Sequence, residues 1–366
     1  METIRLDAEN MKTAAEAHSY LMEKLELPSY YGKNLDALYD VLCEREETRI
    51  VLEHTEQGGD YFAKVKRVLL DAARENGQLY VEEAQMPKKY RLIALDMDGT
   101  VLNDEKVMTE RVEQSIHDAL SCGIEVVFNS GRSLAEMEPF LKRFPDMSYL
   151  IGASGALVLD LKKDQVISLQ AIDPEIIREL KEAAAGRDII FHAFSEGRSY
   201  FGHDHVWKLT EHLMGPYAAT LPDLSGQVED LFDEILEKGM RTEKFNLYHT
   251  CTEERERTRA KLPGFTEKAE LVNSEIASLE ITAKGVNKGE GIRRLAEHLQ
   301  IPVEETVMIG DADNDLAGLR AAGLAIGMGN CNENVRAVAD RITADNNHDG
   351  CALAIEELVR AWKDQD

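Results

Sequence analysis

Several features that would commit the chain to a membrane, a disulfide scaffold or a nucleic acid are missing. Its 366 residues contain no apolar run of about 18 or more, the length a spanning helix needs. The amino terminus METIRLDAEN lacks the basic-then-apolar order of a secretory signal, so a cytoplasmic protein with no membrane partner is expected. Cysteine is scarce. Cys43, Cys122, Cys251, Cys331 and Cys351 make an odd count without a CxxC pair, which excludes a cysteine metal centre and reads as free thiols. Basic residues are outnumbered, 42 Lys and Arg against 68 Asp and Glu, for a formal net charge of -26. A phosphate backbone would be repelled over most of such a surface, so nucleic acid is not an expected substrate, whereas a basic protein is an admissible partner.

What is present fits an ordinary globular protein: 43% hydrophobic and 30% charged residues, and length for two or three domains. The stretch AQMPKKY around 84–90 interrupts an acidic region just before an apolar run, and a domain boundary is expected there. Residues 1–86 carry 18 acidic and 10 basic side chains. They read as a small α/β unit with helices over about 11–26, 34–43 and 61–75, the last stopped by Gly77, and strands at 50–52 and 78–81. Beyond the boundary, short apolar strands alternate with amphipathic helices, as in parallel sheets joined by βαβ crossovers. Between Asp173 and about Val272 the pattern shifts to longer helices and more polar strands, which marks an inserted domain. The expected division is 1–86, 87–172, 173–272 and 273–366.

In a doubly wound sheet, ligands sit off the carboxyl ends of the strands. Four such places carry chemistry. Asp96-Met97-Asp98-Gly99-Thr100 follows the run ending at Leu95; two carboxylates at i and i+2 can face one ligand, one attacking phosphorus while the other handles protons. The same residues also suit an acidic turn closed by glycine. Ser130-Gly131-Arg132 follows the strand ending at Asn129 and makes either a phosphate cradle or a plain helix cap. Lys288 opens a helix, where its charge opposes the macrodipole; an anion would justify it, unless it is a solvated surface lysine. Gly310-Asp311-Ala312-Asp313-Asn314-Asp315 follows Thr306–Ile309 and offers an oxygen-rich magnesium site. It is not a calcium loop: Leu316 stands where an EF-hand needs glycine, and Arg320 and Ala322 replace later ligands.

Four motifs in this order, each after an apolar strand, resemble the haloacid-dehalogenase-like (HAD) phosphatase superfamily over about 89–366. That resemblance implies a doubly wound parallel-sheet core. It assigns Asp96 as nucleophile, Asp98 to acid/base work, and Ser130 and Lys288 to the transferring phosphoryl group. Gly131, Arg132 and Asn314 would bind phosphate, and Mg2+ would be held by Asp96, the Asp98 carbonyl, Asp311 and Asp315. Only 34 residues separate Asp96 from Ser130, but 158 separate Ser130 from Lys288, so the insertion falls between the second and third motifs. This is similar to the Cof-type (C2-capped, HAD-IIB) branch, whose members mostly hydrolyse small phosphorylated metabolites such as sugar phosphates. Against that branch, Ser154-Gly155-Ala156 replaces Asn-Gly-Ala, Asn129-Ser130 replaces Ala-Thr, and Gly318 replaces a methionine. These changes bear on substrate contact near Ser154 and packing near Gly318. His192, Arg198, His203, His205 and Trp207 fall in the cap and receive no role. A phosphomutase is the rival activity.

Residues 27–40, LPSYYGKNLDALYD, resemble barstar, the intracellular ribonuclease inhibitor, and the similarity extends over about 1–85. The resemblance implies a protein-binding face made by Tyr30, Tyr31, Asn34, Asp36, Tyr39 and Asp40, and a basic partner such as a ribonuclease. Tyr39 stands where barstar carries tryptophan, and Ala72 near an expected glutamate. The alternative is a docking or dimerisation module without inhibitory activity; equally, this unit could carry the main function with the HAD part secondary.

Overall fold

Thr3 and Arg5 alternate with the buried Ile4 and Leu6, a half-buried strand pattern that the helix-rich reading of the first residues overlooks. This strand, Glu2–Asp7, is the edge of a three-stranded parallel sheet with Thr48–Glu53 in the middle and Leu79–Glu83 beyond. In the computed structural model, which describes residues 2–83, 89–202, 225–262, 264–273 and 277–364, the chain forms two units, Met1–Lys88 and Lys89–Asp366. The first helix starts at Ala14 rather than 11, because Thr13 and Glu16 form a reciprocal capping box and Met11 lies in a preceding 3-10 turn. The helix Asp60–Glu75 ends at Asn76, not through Gly77: the Asn76 backbone is extended and its side-chain Nδ2 donates to the carbonyls of Leu42 and Arg45. Leu35–Cys43 is capped by Asn34.

In the second unit, an eight-stranded sheet has the order Arg341–Ile342, Leu324–Gly327, Thr306–Gly310, Leu92–Leu95, Glu125–Asn129, Tyr149–Gly152, Leu157–Asp160, Gln165–Leu169. The first six run parallel, Leu157–Asp160 pairs antiparallel to the sixth, and Gln165–Leu169 pairs antiparallel to Leu157–Asp160. Both faces are buried. Ile93, Leu95, Val126 and Phe128 join one core, while Leu92, Ala94, Val127 and Met308 join the other. From Leu92–Leu95 the chain winds one way through Glu125–Asn129 and later returns on the other side at Thr306–Gly310. The strand order therefore reverses beside Asp96, the place where doubly wound sheets open a crevice for ligands.

The inserted cap is an α+β layer on a six-stranded sheet in the order Gly226–Val228, Arg198–Gly202, Ile190–Ser195, Thr242–Tyr248, Ser278–Ala283, Ala269–Asn273. Helices Pro174–Ala184 and Leu231–Lys238 share its apolar cluster. The core does not resume at 273: Ser278–Ala283 pairs on both sides within the cap sheet, and Leu279 and Ile281 are buried in the cap's cluster. The core begins again at the turn before Lys288. His203, His205 and Trp207 lie outside the described residues. Among the described residues no helix is long and apolar enough to cross a membrane.

Candidate active site

Asp96 leaves the sheet at the end of Leu92–Leu95, its amide donating to the Ile309 carbonyl of the neighbouring strand, so that its carboxylate is set by two strands at once. It is 5% exposed. Lys288, first residue of the helix Lys288–Leu299, is fully buried and donates at 2.5 Å to Asp96 Oδ1 and at 2.5 Å to Asp315 Oδ1. The lysine that the macrodipole disfavours is thus held by two carboxylates. Asp315 Oδ2 accepts the backbone amides of Asp311 at 2.9 Å and Ala312 at 3.1 Å, which fixes the loop carrying Asp311. Gly99, at φ +90°, allows the approach of Asp311: a side chain there would lie 2.5 Å from Asp311 Oδ2.

Oxygens of Asp96, Asp311 and Asp315 all lie within 4.8 Å of one another. Three carboxylates face one ammonium. Burial and then Asp315 push the Asp96 carboxyl well above the usual range against the pull of Lys288, and the same two causes push Asp311 up to about 7. Burial alone would lower Lys288, but Asp315 and Asp96 outweigh it and raise it. The surplus of negative charge and the all-oxygen donor set fit a hard divalent cation.

Asp98 sits in a second cluster. Arg132 donates to it through Nε at 3.0 Å and Nη2 at 2.9 Å, and Lys106 Nζ donates at 2.9 Å. Burial favours its neutral form, yet Arg132 and Lys106 prevail and hold the carboxyl below its usual range. Arg132, read from sequence as a phosphate ligand, is therefore engaged with Asp98 in this arrangement, because the loop Ser130–Arg132 lies against the Asp98 turn. Ser130 is 2% exposed; its Oγ accepts the Arg132 amide at 3.2 Å, and its carbonyl accepts the Ser154 amide at 3.0 Å. Asn129 Nδ2 donates to the Lys288 carbonyl at 3.1 Å, joining the second and third motifs. Asn314 Oδ1 is buried without a hydrogen-bond partner, and Gly131 lies against Lys244, Ser154 and Glu280.

Sequence reasoning misses Asn330, whose Nδ2 donates to the Gly99 carbonyl at 2.9 Å and reaches Asp311 Oδ2 at 3.4 Å. It follows the strand Leu324–Gly327, so the strand-end rule applied to a fifth strand finds it. Thr100, to which the sequence gives no role, donates to Asp311 at 3.3 Å. Nothing in the sequence singles out Lys106.

In the first unit the six face residues separate. Tyr30 is 85% exposed, and Asp36 and Asp40 are exposed. Tyr31 does not belong on a docking face: it is buried, and its hydroxyl lies 2.5 Å from His18 Nδ1, whose other nitrogen meets the Tyr61 hydroxyl at 2.7 Å. Asn34 turns its Oδ1 to the Ala37 amide as a helix cap. Tyr39 is half-buried.

Residues 93–355 match the family model for haloacid dehalogenase-like hydrolases, and residues 1–88 match that for Barstar (barnase inhibitor). Among curated proteins, the 5-amino-6-(5-phospho-D-ribitylamino)uracil phosphatase YcsE of Bacillus subtilis is 27% identical over 74% of this chain and 96% of its own length. The phosphatase YwpJ of the same organism is 26% identical over 74% of this chain and all of its own. A crystal structure of a haloacid dehalogenase-like hydrolase from B. subtilis, 26% identical, superposes with a TM-score of 0.63 over 73% of this chain and 99% of that one. With its strand-end carboxylates, buried lysine and cap, the chain belongs to the haloacid dehalogenase-like hydrolases, carrying in front of that enzyme a segment that matches barstar.

Proposed function

We propose that the chain is a magnesium-dependent phosphatase of small phosphorylated metabolites that works through an aspartyl-phosphate on Asp96. The observation that carries this reading is Lys288 buried between Asp96 and Asp315 at 2.5 Å from each, beside a serine-glycine turn. The lysine opposes the rise that burial and Asp315 impose on the Asp96 carboxyl and offsets its charge as a phosphate dianion approaches. An Asp96 oxygen attacks phosphorus as the bond to the leaving oxygen breaks; Asp98 delivers a proton to that oxygen, then takes one from the water that hydrolyses the acyl phosphate and frees inorganic phosphate. Ser130 and Lys288 hold the transferring oxygens. Asp96, the Asp98 carbonyl and Asp311 would hold Mg2+, with Asp315 setting their loop. When bound, the ion neutralises phosphate charge so that two anions can meet. Arg132 couples substrate to acid: phosphate entering the Ser130–Arg132 turn competes with Asp98 for the guanidinium, and Asp98 released from it loses the strongest pull that holds its carboxyl below the usual range.

The test is p-nitrophenyl phosphate turnover with magnesium. Turnover stops on chelation and in Asp96→Asn; full activity in that variant refutes the reading. Phosphate release without a phosphorylated acceptor separates hydrolysis from a phosphomutase. The names of YcsE and YwpJ support the phosphatase class.

A second function is proposed for residues 1–88: docking of a basic protein in the cytoplasm, on the exposed Tyr30, Asp36 and Asp40. Recovery of a basic partner from native cytosol that persists in Asp36→Ala with Asp40→Ala counts against that face.

A further inference from the structure

The loop that follows the Asp98 turn closes on itself before it reaches back to the site. Asn103 accepts the Lys106 amide on its carbonyl at 2.9 Å and the Val107 amide on Oδ1 at 2.9 Å, while its own amide donates to the Val107 carbonyl at 3.0 Å. The turn holds Lys106 at φ +61°, a left-handed backbone that glycine adopts more easily. A lysine stands there instead, and its Nζ donates to Asp98 Oδ1 at 2.9 Å.

Residues from the far end of the chain clamp this loop. Asp104, itself exposed, accepts Asn346 Nδ2 and Asn347 Nδ2 on its two oxygens at 3.0 Å each, and its amide donates to Asn347 Oδ1 at 3.2 Å. Asn346 is 6% exposed. It also donates to the Leu102 carbonyl at 3.2 Å, and its own amide donates to Asn330 Oδ1 at 3.0 Å. Asn330 in turn holds the Gly99 carbonyl. Three asparagines thus join the Asp98 turn to the loop that carries Lys106, and such a network orders a loop more firmly than isolated surface bonds do.

The two cations on Asp98 differ in what they grip. Arg132 holds both carboxylate oxygens, through Nη2 at 2.9 Å to each and Nε at 3.0 Å to Oδ2, whereas Lys106 takes Oδ1. Phosphate in the Ser130–Arg132 turn draws on Arg132. Lys106 is held by the asparagines, away from that turn. We propose that Lys106 is a positioning residue for the acid: it keeps Asp98 Oδ1 in place once phosphate takes Arg132 and leaves Oδ2 to face the leaving oxygen, with Asn346 and Asn347 holding its loop. The proposal rests on the phosphatase reading above. The proton on Oδ2 passes to the leaving oxygen as its bond to phosphorus breaks, and Oδ2 later takes one from the water that attacks the acyl phosphate. Proton transfer needs hydrogen-bond reach, so a carboxyl free to swing away loses much of its effect.

Full-length protein with magnesium is assayed on phenyl phosphate and p-nitrophenyl phosphate, two esters of one shape. Phenolate is the poorer leaving group and depends more on the acid. Lys106→Met is expected to lower kcat/KM on phenyl phosphate about tenfold more than on p-nitrophenyl phosphate, and Lys106→Arg to restore most of that ratio. Asp104→Ala and Asn346→Ala shift the ratio the same way by about threefold, since the loop then holds the ammonium less firmly. A purely structural role lowers both esters equally. Equal losses, a ratio unchanged in Lys106→Met, or a wild type that cleaves p-nitrophenyl phosphate but not phenyl phosphate overturns the proposal. Should Asn346→Ala not fold, Lys106→Met and Asp104→Ala decide, because both positions are exposed. Absence of all turnover, p-nitrophenyl phosphate included, removes the phosphatase reading and this one with it; equal losses with normal wild-type turnover remove this one alone.

Discussion

Lys288 ties chemistry to stability, because it is the ammonium that the buried Asp96 and Asp315 share. Lys288→Met leaves both carboxylates without it, and removing one partner of a buried ion pair costs about 3–5 kcal/mol. Urea unfolding of that variant should show a loss of this size together with loss of turnover; unchanged stability would mean that the carboxylates find other partners. Glu243 offers a pH test away from the proposed chemistry. Burial pushes its carboxyl to about 7 from an ordinary 4.5, the Gly197 amide pulling the other way. The unfolded chain sheds this proton near 4.5 while the folded chain keeps it to about 7, so this contribution is full below 4.5 and declines as pH climbs to 7. The integrated effect is on the order of 3 kcal/mol. Melting curves from pH 4.5 to 7 should fall more steeply for the wild type than for Glu243→Gln; parallel curves would sink the assignment. At this scale the sequence shows Asp96, Lys288 and Asp311, because each stands just past an apolar strand or at a helix start. It does not show that Arg132 faces Asp98 or that Tyr31 is spent on His18, since those partners are distant in the chain and depend on packing.

Among the elements, the turn Ala153–Gly155 places a run of left-handed backbone beside the site. Ala153, Ser154 and Gly155 all have positive φ, at 48°, 58° and 97°. Only glycine fits the last: a Cβ at Gly155 would come 2.1 Å from the Asn287 carbonyl oxygen and 3.2 Å from the Lys288 amide. Gly155→Ala should therefore cost about 3 kcal/mol and reduce kcat by shifting the helix start that carries Lys288. Equal kcat in a variant that still melts near the wild-type temperature would show that this contact does not position the lysine. Strands and helices of the core were legible because apolar runs and capping residues such as Thr109 are local signals. The cap's last strand was not. Ser278–Ala283 alternates Leu279 and Ile281 with Glu280 and Thr282, and nothing in that alternation tells which sheet takes it.

For the molecule as a whole, every residue proposed for catalysis lies in Lys89–Asp366. A fragment of residues 89–366 is expected to hydrolyse p-nitrophenyl phosphate with a kcat within about threefold of the full chain, since the barstar-matching unit supplies no group to the chemistry. A larger loss would assign the front unit a part in the enzyme's function. The cap is one insertion into the core, entered after the strand Gln165–Leu169 and left before the helix Lys288–Leu299, and all four motifs stay outside it. Such an insertion is a natural cassette. A foreign cap spliced at those two junctions would leave the carboxylates, the lysine and the turn in register, and the preference of the enzyme could be exchanged wholesale while its chemistry stayed where it was.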